Sequence, residues 1–224
     1  MKTLHLAFYV TLTCFAISCI GDDIIEDRVD PIIRIINPID TLEVGTSYTF
    51  SASYLNNVGI EESVEIDWGS DDDSILTIDN DGTATALSLG TTSVTAVAVD
   101  LGVSTTFALS TGASTVITEA PERTGTIEPS SFYELSGDFT MTQVGDDLLI
   151  QFADNYVASS ALPGLYVYLT NNPSTINGAI EIGKVTAFSG AHEYEVSDQD
   201  INGFSHILYF CKPFNVKVGD GIIN

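Results

Sequence analysis

The sequence predicts an all-β protein made of two tandem β-sandwich domains behind an N-terminal export signal. Two observations predict this class. The chain after its first twenty residues is rich in Thr, Ser, Val, Ile, Gly and Tyr, which suit strands and turns rather than helices. Apolar residues also recur at every second position in many short segments, and no later segment has the spacing of an amphipathic helix.

Residues 1–18 have the pattern of a secretory signal peptide. A cationic Lys2 precedes the apolar run Leu4–Ile17, which is too short to span a bilayer comfortably. The run ends in Ala-Ile-Ser before Cys19, and this ending resembles a lipobox. The resemblance implies cleavage before Cys19 and acylation of that residue, so that several acyl chains hold the protein on a membrane. The alternatives are an ordinary signal peptide with a coincidental cysteine, or a poorer box ending at Cys14 that would truncate the apolar region.

Residues 19–30 form an acidic tether that begins Cys-Ile-Gly-Asp-Asp. An acidic segment directly after the lipidated cysteine resembles the surface-export signal of Bacteroidetes-type lipoproteins. The resemblance implies an outer-membrane protein anchored through the lipid on Cys19, and it leaves open which face of that membrane the protein occupies.

The charge balance excludes nucleic acid as a partner. Asp and Glu total 31 against seven Lys and Arg, for a net charge of −24, so the chain repels phosphate backbones. Charge repulsion between copies of the protein outside the cell accounts for this acidity, and divalent-cation binding is the sharper alternative. The first domain carries five aspartates that such a site would use: Asp71, Asp72, Asp73, Asp79 and Asp81. Their spacing does not match an EF-hand loop, so we expect local turn capping and no metal site.

The first domain is predicted at residues 31–110, where alternating strands are separated by turn signals. Its segments Leu42–Ser47, Ile66–Asp72, Leu76–Gly82 and Ala84–Ala96 resemble a bacterial Ig-like domain of group 2. The segment Leu55–Glu62 departs from that pattern as a lengthened loop. We expect Trp68 to pack between the two sheets and Gly82 to supply a positive φ in a hairpin turn.

The second domain is predicted at residues 124–224, after a linker at 111–123 whose small and polar residues suggest an inter-domain connection. Period-two alternation returns, and the nearly continuous apolar run Leu165–Leu169 indicates a central strand. This pattern predicts a second β-sandwich or jelly-roll-like unit. Six segments together resemble a DM13 domain: Leu135–Phe139, Leu148–Phe152, Leu162–Leu169, Ile182–Val185, Gly190–Val196 and Tyr209–Val216.

The DM13 resemblance implies an electron-transfer role centred on Cys211, as a bare thiol or as a ligand of a prosthetic group. Once residues 1–18 are removed and Cys19 is acylated, Cys211 is the one thiol left in the chain. The alternative is a buried cysteine that acts as a small hydrophobe. His192 and His206 are candidate co-ligands, but no paired-histidine or Cys-x-x-Cys-His motif exists. We therefore expect no haem, metal or other cofactor.

No enzyme motif is present, since the chain lacks a Gly-x-Ser-x-Gly elbow and a phosphate-binding glycine loop. The sequence therefore predicts a non-enzymatic surface protein in which the Ig-like domain acts as a spacer and the DM13-like domain contacts a protein or glycan. An exposed aromatic patch is the expected contact surface, with four candidates: Tyr156, Tyr166, Tyr168 and Tyr194. A redox component that uses Cys211 is the alternative function.

Overall fold

The structure, a computed structural model, describes residues 27–117 and 122–224. These residues form nineteen strands and one 3₁₀ turn. The architecture is therefore all-β, as the composition and the alternation predicted. Among the described residues, no helix is long and apolar enough to cross a bilayer.

The first domain contains ten strands. They are β1 (Ile32–Ile35), β2 (Thr41–Glu43), β3 (Ser47–Thr49), β4 (Ala52–Leu55), β5 (Glu61–Glu62), β6 (Ile66–Ser70), β7 (Leu76–Ile78), β8 (Thr83–Ala86), β9 (Gly90–Ala98) and β10 (Val103–Gly112). They form three sheets, in the orders β1-β4-β5, β2-β10-β9-β6 and β3-β8-β7. All pairs are antiparallel except β2 with β10, which is parallel.

Two contacts extend the first domain past residue 110. Strand β10 continues to Gly112, and Val116 forms an isolated bridge with Thr41. The predicted linker therefore begins with residues that still belong to the sheet of the first domain.

The core of the first domain confirms the expected position of Trp68. Its half-buried indole packs against both apolar clusters of the domain, one around Phe50 and Leu76 and the other around Tyr54 and Ala96. Gly82 has a φ of +80°, as the turn required, and its carbonyl accepts a hydrogen bond from Phe50 N at 2.9 Å. Aromatic packing and a tight turn together stabilise this domain without a disulfide, because the domain contains no cysteine.

The second domain contains nine strands. They are β11 (Arg123–Pro129), β12 (Leu135–Val144), β13 (Asp147–Phe152), β14 (Val157–Ala158), β15 (Leu165–Thr170), β16 (Ile180–Lys184), β17 (His192–Val196), β18 (His206–Cys211) and β19 (Val216–Ile222). The 3₁₀ turn Lys212–Phe214 connects β18 to β19.

These strands form one sheet rather than two separate ones. Its order is β16-β15-β18-β19-β11-β12-β13-β17, and β14 pairs with β12 off this path. The two end strands β16 and β17 contact each other, so the sheet folds around its own core. That arrangement shields backbone edges that would otherwise be free to pair with other chains. Strand β15 has neighbours on both sides and is buried on both faces, as its continuous apolar run predicted.

Candidate functional site

The predicted lipidation residue Cys19 lies outside the residues that the structure describes, which begin at Asp27. Its acylation therefore stays a prediction from the sequence. The other candidate residues lie in the second domain, where their surroundings are defined.

Cys211 is the last residue of β18 and is 1% exposed. Its side chain belongs to the main core of the domain together with Ile207 and Tyr209, and it lies opposite Leu165 on β15. The register of β18 with β19 shifts between Tyr209 and Phe210, so the strand is irregular just before the cysteine. Cys211 therefore has the surroundings of a buried apolar residue.

Each of the two candidate histidines interacts through Nδ1 with a residue close to it in the sequence. His192 Nδ1 lies 3.0 Å from the carbonyl oxygen of Gly190, and its ring stacks on Phe152 with the centroids 4.7 Å apart. His206 Nδ1 lies 2.8 Å from the hydroxyl of Ser205, and burial lowers the pKa of its imidazole. No group of three or more His, Cys, Asp or Glu side chains in residues 27–117 and 122–224 is arranged to hold a metal ion.

A buried polar cluster lies in the same core. Within the described residues, the hydroxyls of Tyr156 and Tyr209 and Nε2 of His192 form no hydrogen bond of standard geometry, although the two hydroxyls are close enough to affect each other's pKa. The rings are close, since Tyr156 lies 4.4 Å from His192 and 6.2 Å from Tyr209, centroid to centroid. Burial raises the pKa of Tyr156 to about 12 and raises that of Tyr209 well above its usual value. Both phenols are therefore neutral at physiological pH.

Two of the five aspartates singled out in the first domain, Asp72 and Asp79, act as local caps. The Asp72 carboxylate accepts hydrogen bonds from the amide and hydroxyl of Ser74, and Asp79 accepts from the amides of Asp81 and Thr83. The Ser74 bonds lower the pKa of Asp72, although burial opposes the shift. This is the local turn capping that was expected of these aspartates from the sequence.

The four tyrosines expected in an exposed patch are not exposed. Tyr156 and Tyr168 are buried, and Tyr166 and Tyr194 are half-buried. Tyr156 and Tyr194 pack with the aromatic rings of the core, while Tyr168 belongs to a smaller cluster on the other face of the sheet. The prediction of this particular patch was wrong for two reasons: β15, which carries Tyr166 and Tyr168, is covered on both faces, and Tyr156 and Tyr194 pack into the main core.

Apart from Phe188, the exposed aromatic residues of the second domain instead lie towards one of its ends. Phe132 is completely exposed and Phe214 is 65% exposed, with Tyr133 and Val216 also exposed. We call these four residues the aromatic tip. Sequence reasoning missed them because it searched the strands, whereas Phe132 and Tyr133 lie in a loop and Phe214 ends the 3₁₀ turn. Phe132 and Tyr133 carried a signal, since they follow Pro129, Ser130 and Ser131 outside any alternating segment; Phe214 carried none, because it alternates with Val216 and Val218 as a strand residue would.

Backbone contacts hold the two halves of the aromatic tip side by side. Ser130 N donates to the carbonyl of Val218 at 2.9 Å, and the hydroxyl of Ser131 donates to the same oxygen at 3.1 Å. These bonds continue the pairing of β11 with β19 and bring the loop of Phe132 beside the start of β19. The tip is therefore a built surface rather than two unrelated loops.

The two lysines near the aromatic tip are paired. The Lys212 ammonium forms an ion pair with Glu181, lies 4.4 Å from the centre of the Tyr166 ring, and has a raised pKa because of the hydrogen bond to Glu181. Lys217 pairs with Asp220 at 2.5 Å. The two lysines beside the aromatic tip are thus paired, whereas the exposed Glu134, next to Tyr133, is in neither of these ion pairs.

The fold and these surfaces define an all-β protein with an Ig-like first domain and an aromatic-tipped second domain. The family model described as "Bacterial Ig-like domain (group 2)" matches residues 31–116, which confirms that part of the predicted resemblance. A comparison with curated proteins found no match.

Among solved structures, this chain is similar to parts of an S-layer protein. The match to domains 5–6 of the S-layer protein SbsC covers 87% of this chain and 98% of that chain, at 14% identity and a TM-score of 0.32. The match to the longer fragment rSbsC(31-844) covers 86% of this chain and 27% of that chain, at 16% identity and a TM-score of 0.31.

Proposed function

We propose that this protein is a cell-envelope lipoprotein, anchored through acyl chains on Cys19, that binds a partner protein through the aromatic tip of its second domain. The observation that carries the proposal is the exposure of Phe132 and Phe214 on two segments that the pairing of β11 with β19 brings to one end of that domain. Clustered exposed aromatic residues are costly in water and typically mark a contact surface.

The tip lies far from the first domain along the strand direction. Strand β18 runs from His206 to Cys211. His206 pairs with Thr170, which comes directly before Asn171, a residue that contacts the first domain. Six residues of strand span about 17 Å, and the turn that carries Phe214 follows them. The aromatic tip therefore points away from the contact between the domains.

A protein surface fits this tip better than a glycan does. Sites that discriminate among polar ligands need several converging polar side chains, whereas the tip presents two phenylalanines, a valine and one phenol. Aromatic rings with a polar rim are the usual centre of a protein interface. Because the net charge is −24, we expect the partner to be basic around the contact, so that attraction speeds its association.

The location rests on the first residues of the chain and on the Ig-like domain. The lipobox at Cys19 and the acidic tether support an outer-membrane anchor, and an Ig-like domain at residues 31–116 is consistent with display at a cell surface. The resemblance of residues 124–224 to a DM13 domain remains part of this proposal.

Acylation is tested by replacing each candidate cysteine in the full chain. We expect Cys19→Ser to abolish incorporation of a labelled fatty acid and to release the protein from the membrane fraction. The matched control is Cys14→Ser, which should keep both properties. Equal labelling of wild type and Cys19→Ser, or loss of labelling in Cys14→Ser alone, would overturn the assignment of Cys19.

The aromatic tip is tested with a photo-crosslinking amino acid placed at Phe132 in intact cells. We expect one discrete adduct that the variant Phe214→Ser abolishes, because the two residues share one surface. The control site is Leu89 in the first domain, which is 73% exposed and lies outside the tip. An identical adduct pattern at Leu89, no discrete adduct from Phe132, or an adduct that survives Phe214→Ser, would reject the tip as the contact surface.

The alternative is a redox role for Cys211. A thiol that is 1% exposed in an apolar core cannot meet a partner without an opening of the domain, so burial favours the structural role. The redox function nevertheless stays a prediction, and thiol labelling tests it directly.

A further inference from the structure

Asn172 of the second domain is buried against the first domain. Its side-chain amide donates to the carbonyl of Asp27 and, at 3.1 Å, to the carbonyl of Val58, and the residue is 1% exposed. Its own loop satisfies its other polar groups, since Oδ1 accepts from Ser174 N and its amide and carbonyl both bond the Thr170 hydroxyl. Both donors of one buried amide are thus used across the domain boundary.

Two further side chains cross the same boundary along β1. The Arg34 guanidinium donates to Oδ1 of Asn171 at 3.1 Å, and the side-chain amide of Asn202 donates to the carbonyl of Ile36 at 3.3 Å. Burial, followed by the nearby charge of Arg123, lowers the pKa of Arg34. Together with the Asn172 bond to Asp27, these contacts lie before β1, at Arg34 within it and at Ile36 directly after it.

The lengthened loop of the Ig-like domain supplies the closest approach. At Gly59, where φ is +77°, a Cβ atom would lie 3.0 Å from the backbone of Asn171 and from Cβ of Asn172. At Gly178, a Cβ atom would lie 3.1 Å from Cγ1 of Ile60. Glycines on both sides therefore let the two domains touch, and the segment Leu55–Glu62 that departs from the family pattern is the docking element.

We propose that Asn172 and the loop Leu55–Glu62 lock the two domains and the end of the tether into one rigid body. Domains joined by a small polar interface normally move relative to each other. Here the buried amide of Asn172 fits one orientation only, because a rotation of either domain would leave its donors desolvated and unpaired.

The lock changes how the protein stands on a membrane, and this step rests on the proposed anchor at Cys19. The eight residues Ile20–Asp27 reach at most about 28 Å. Since Asp27 contacts Asn172, the tether leaves the protein at the junction between the domains. The Ig-like domain then lies beside the anchor point and does not act as the spacer that tandem domains suggest.

The lock is tested by distance measurement between two spin labels. Labels at Leu89→Cys and Val144→Cys are exposed and lie in different domains, and Cys14→Ser, Cys19→Ser and Cys211→Ala remove the three native thiols of the chain. In the purified full chain we expect one narrow distance peak. Asn172→Ala and Gly59→Ala, one on each side of the boundary, should each broaden that peak.

The matched control is Asn177→Ala, because Asn177 lies in the same loop as Asn172 but is exposed. It should keep the narrow peak. A broad distribution in the unmodified background, or a narrow one in either Asn172→Ala or Gly59→Ala, would overturn the lock. The measurement does not need acyl chains, so a failure of the proposed anchor leaves it interpretable.

The position of the anchor is tested separately in vesicles that carry the acylated protein. A fluorescent donor at Asn57→Cys, in the docking loop, should transfer energy to acceptors in the lipid headgroups more efficiently than a donor on the aromatic tip at Phe132→Cys. Equal transfer from both positions, or stronger transfer from Phe132→Cys, would contradict a tether that leaves from the junction.

Discussion

The Trp68 indole stacks on the ring of Phe50, with centroids 6.1 Å apart and planes inclined by 28°. Phe50 also meets Tyr48 and Phe107 edge-on, at 5.0 and 5.2 Å. It lies between β3 and β4, where the chain passes from one sheet to another. The Phe50 ring thus joins two of the three sheets of the Ig-like domain, through Tyr48 in one and Trp68 and Phe107 in the other, and the loss of that ring should weaken the whole domain.

We therefore expect Phe50→Ala to lower the free energy of unfolding of the first domain by about 3–5 kcal/mol, as large truncations in cores do. Trp68 is the single tryptophan of the chain, so denaturation followed by its fluorescence reports this domain. The control Leu89→Ala removes a side chain that is 73% exposed and should change stability by less than about 0.5 kcal/mol. Similar losses in the two variants would show that Phe50 does not connect the sheets.

Two glycines separate the cost of a backbone conformation from the cost of a steric contact. Gly82 has a φ of +80°, and its added Cβ would lie 2.8 Å from the Phe50 carbonyl oxygen and 3.0 Å from Trp68 Nε1. Gly45 has a φ of +87° with nothing within 4 Å. Gly45→Ala should cost about 1 kcal/mol, and Gly82→Ala should cost at least about 1 kcal/mol more. Equal losses in thermal denaturation would mean that the contacts at Gly82 relax freely.

The sequence patterns were a better guide to which residues face a core than to which strands pair with each other. Alternation placed Tyr48, Phe50, Ala52 and Tyr54 on one face, and their burial follows. The structure nevertheless divides this segment, since Tyr48 pairs with Ala84 in one sheet and Tyr54 with Ile33 in another. A period of two fixes the direction of a side chain, whereas the pairing partner depends on contacts distant in sequence.

The candidate surface was harder to predict for a related reason. Exposure of tyrosines was expected on strands, but β15 has a core on each face and buries Tyr168 together with Leu208. The aromatic tip is formed by two segments that lie far apart in the sequence, around Phe132 and Phe214, and joins through the pairing of β11 with β19. Nothing local to either segment indicates that the two meet.

Native thiol labelling distinguishes the two interpretations of Cys211. In the acylated protein we expect Cys211 to react with a thiol reagent slowly, at the rate at which the domain opens, because its side chain is 1% exposed. Denaturant should accelerate the reaction to that of a free thiol. The variant Cys211→Ser gives the background from other sites. Rapid stoichiometric labelling of the folded protein would support the redox alternative and contradict a structural role.

Alkaline pH should destabilise the second domain through its buried phenols. Burial raises the pKa of Tyr156 to about 12, above the ordinary value of 10.0 that the phenol has in an unfolded chain. As pH rises past about 10, the Tyr156 phenol of the unfolded chain therefore loses its proton before that of the folded chain. The contribution of this phenol to the free energy of unfolding is complete below about pH 10 and is lost towards about pH 12. The pKa difference corresponds to about 3 kcal/mol for Tyr156 alone.

The phenols of Tyr209 and Tyr194 and the imidazole of His192 face Tyr156, and burial also raises the pKa of both these tyrosines. Chemical denaturation followed by circular dichroism, from about pH 9 to about pH 12, should show a steeper loss in wild type than in Tyr156→Phe. Tyr133→Phe, which changes an exposed phenol, should keep the wild-type slope. If Tyr156→Phe and wild type lost stability in parallel, Tyr156 would have to be solvated in the native protein, and the buried polar cluster would be open to water.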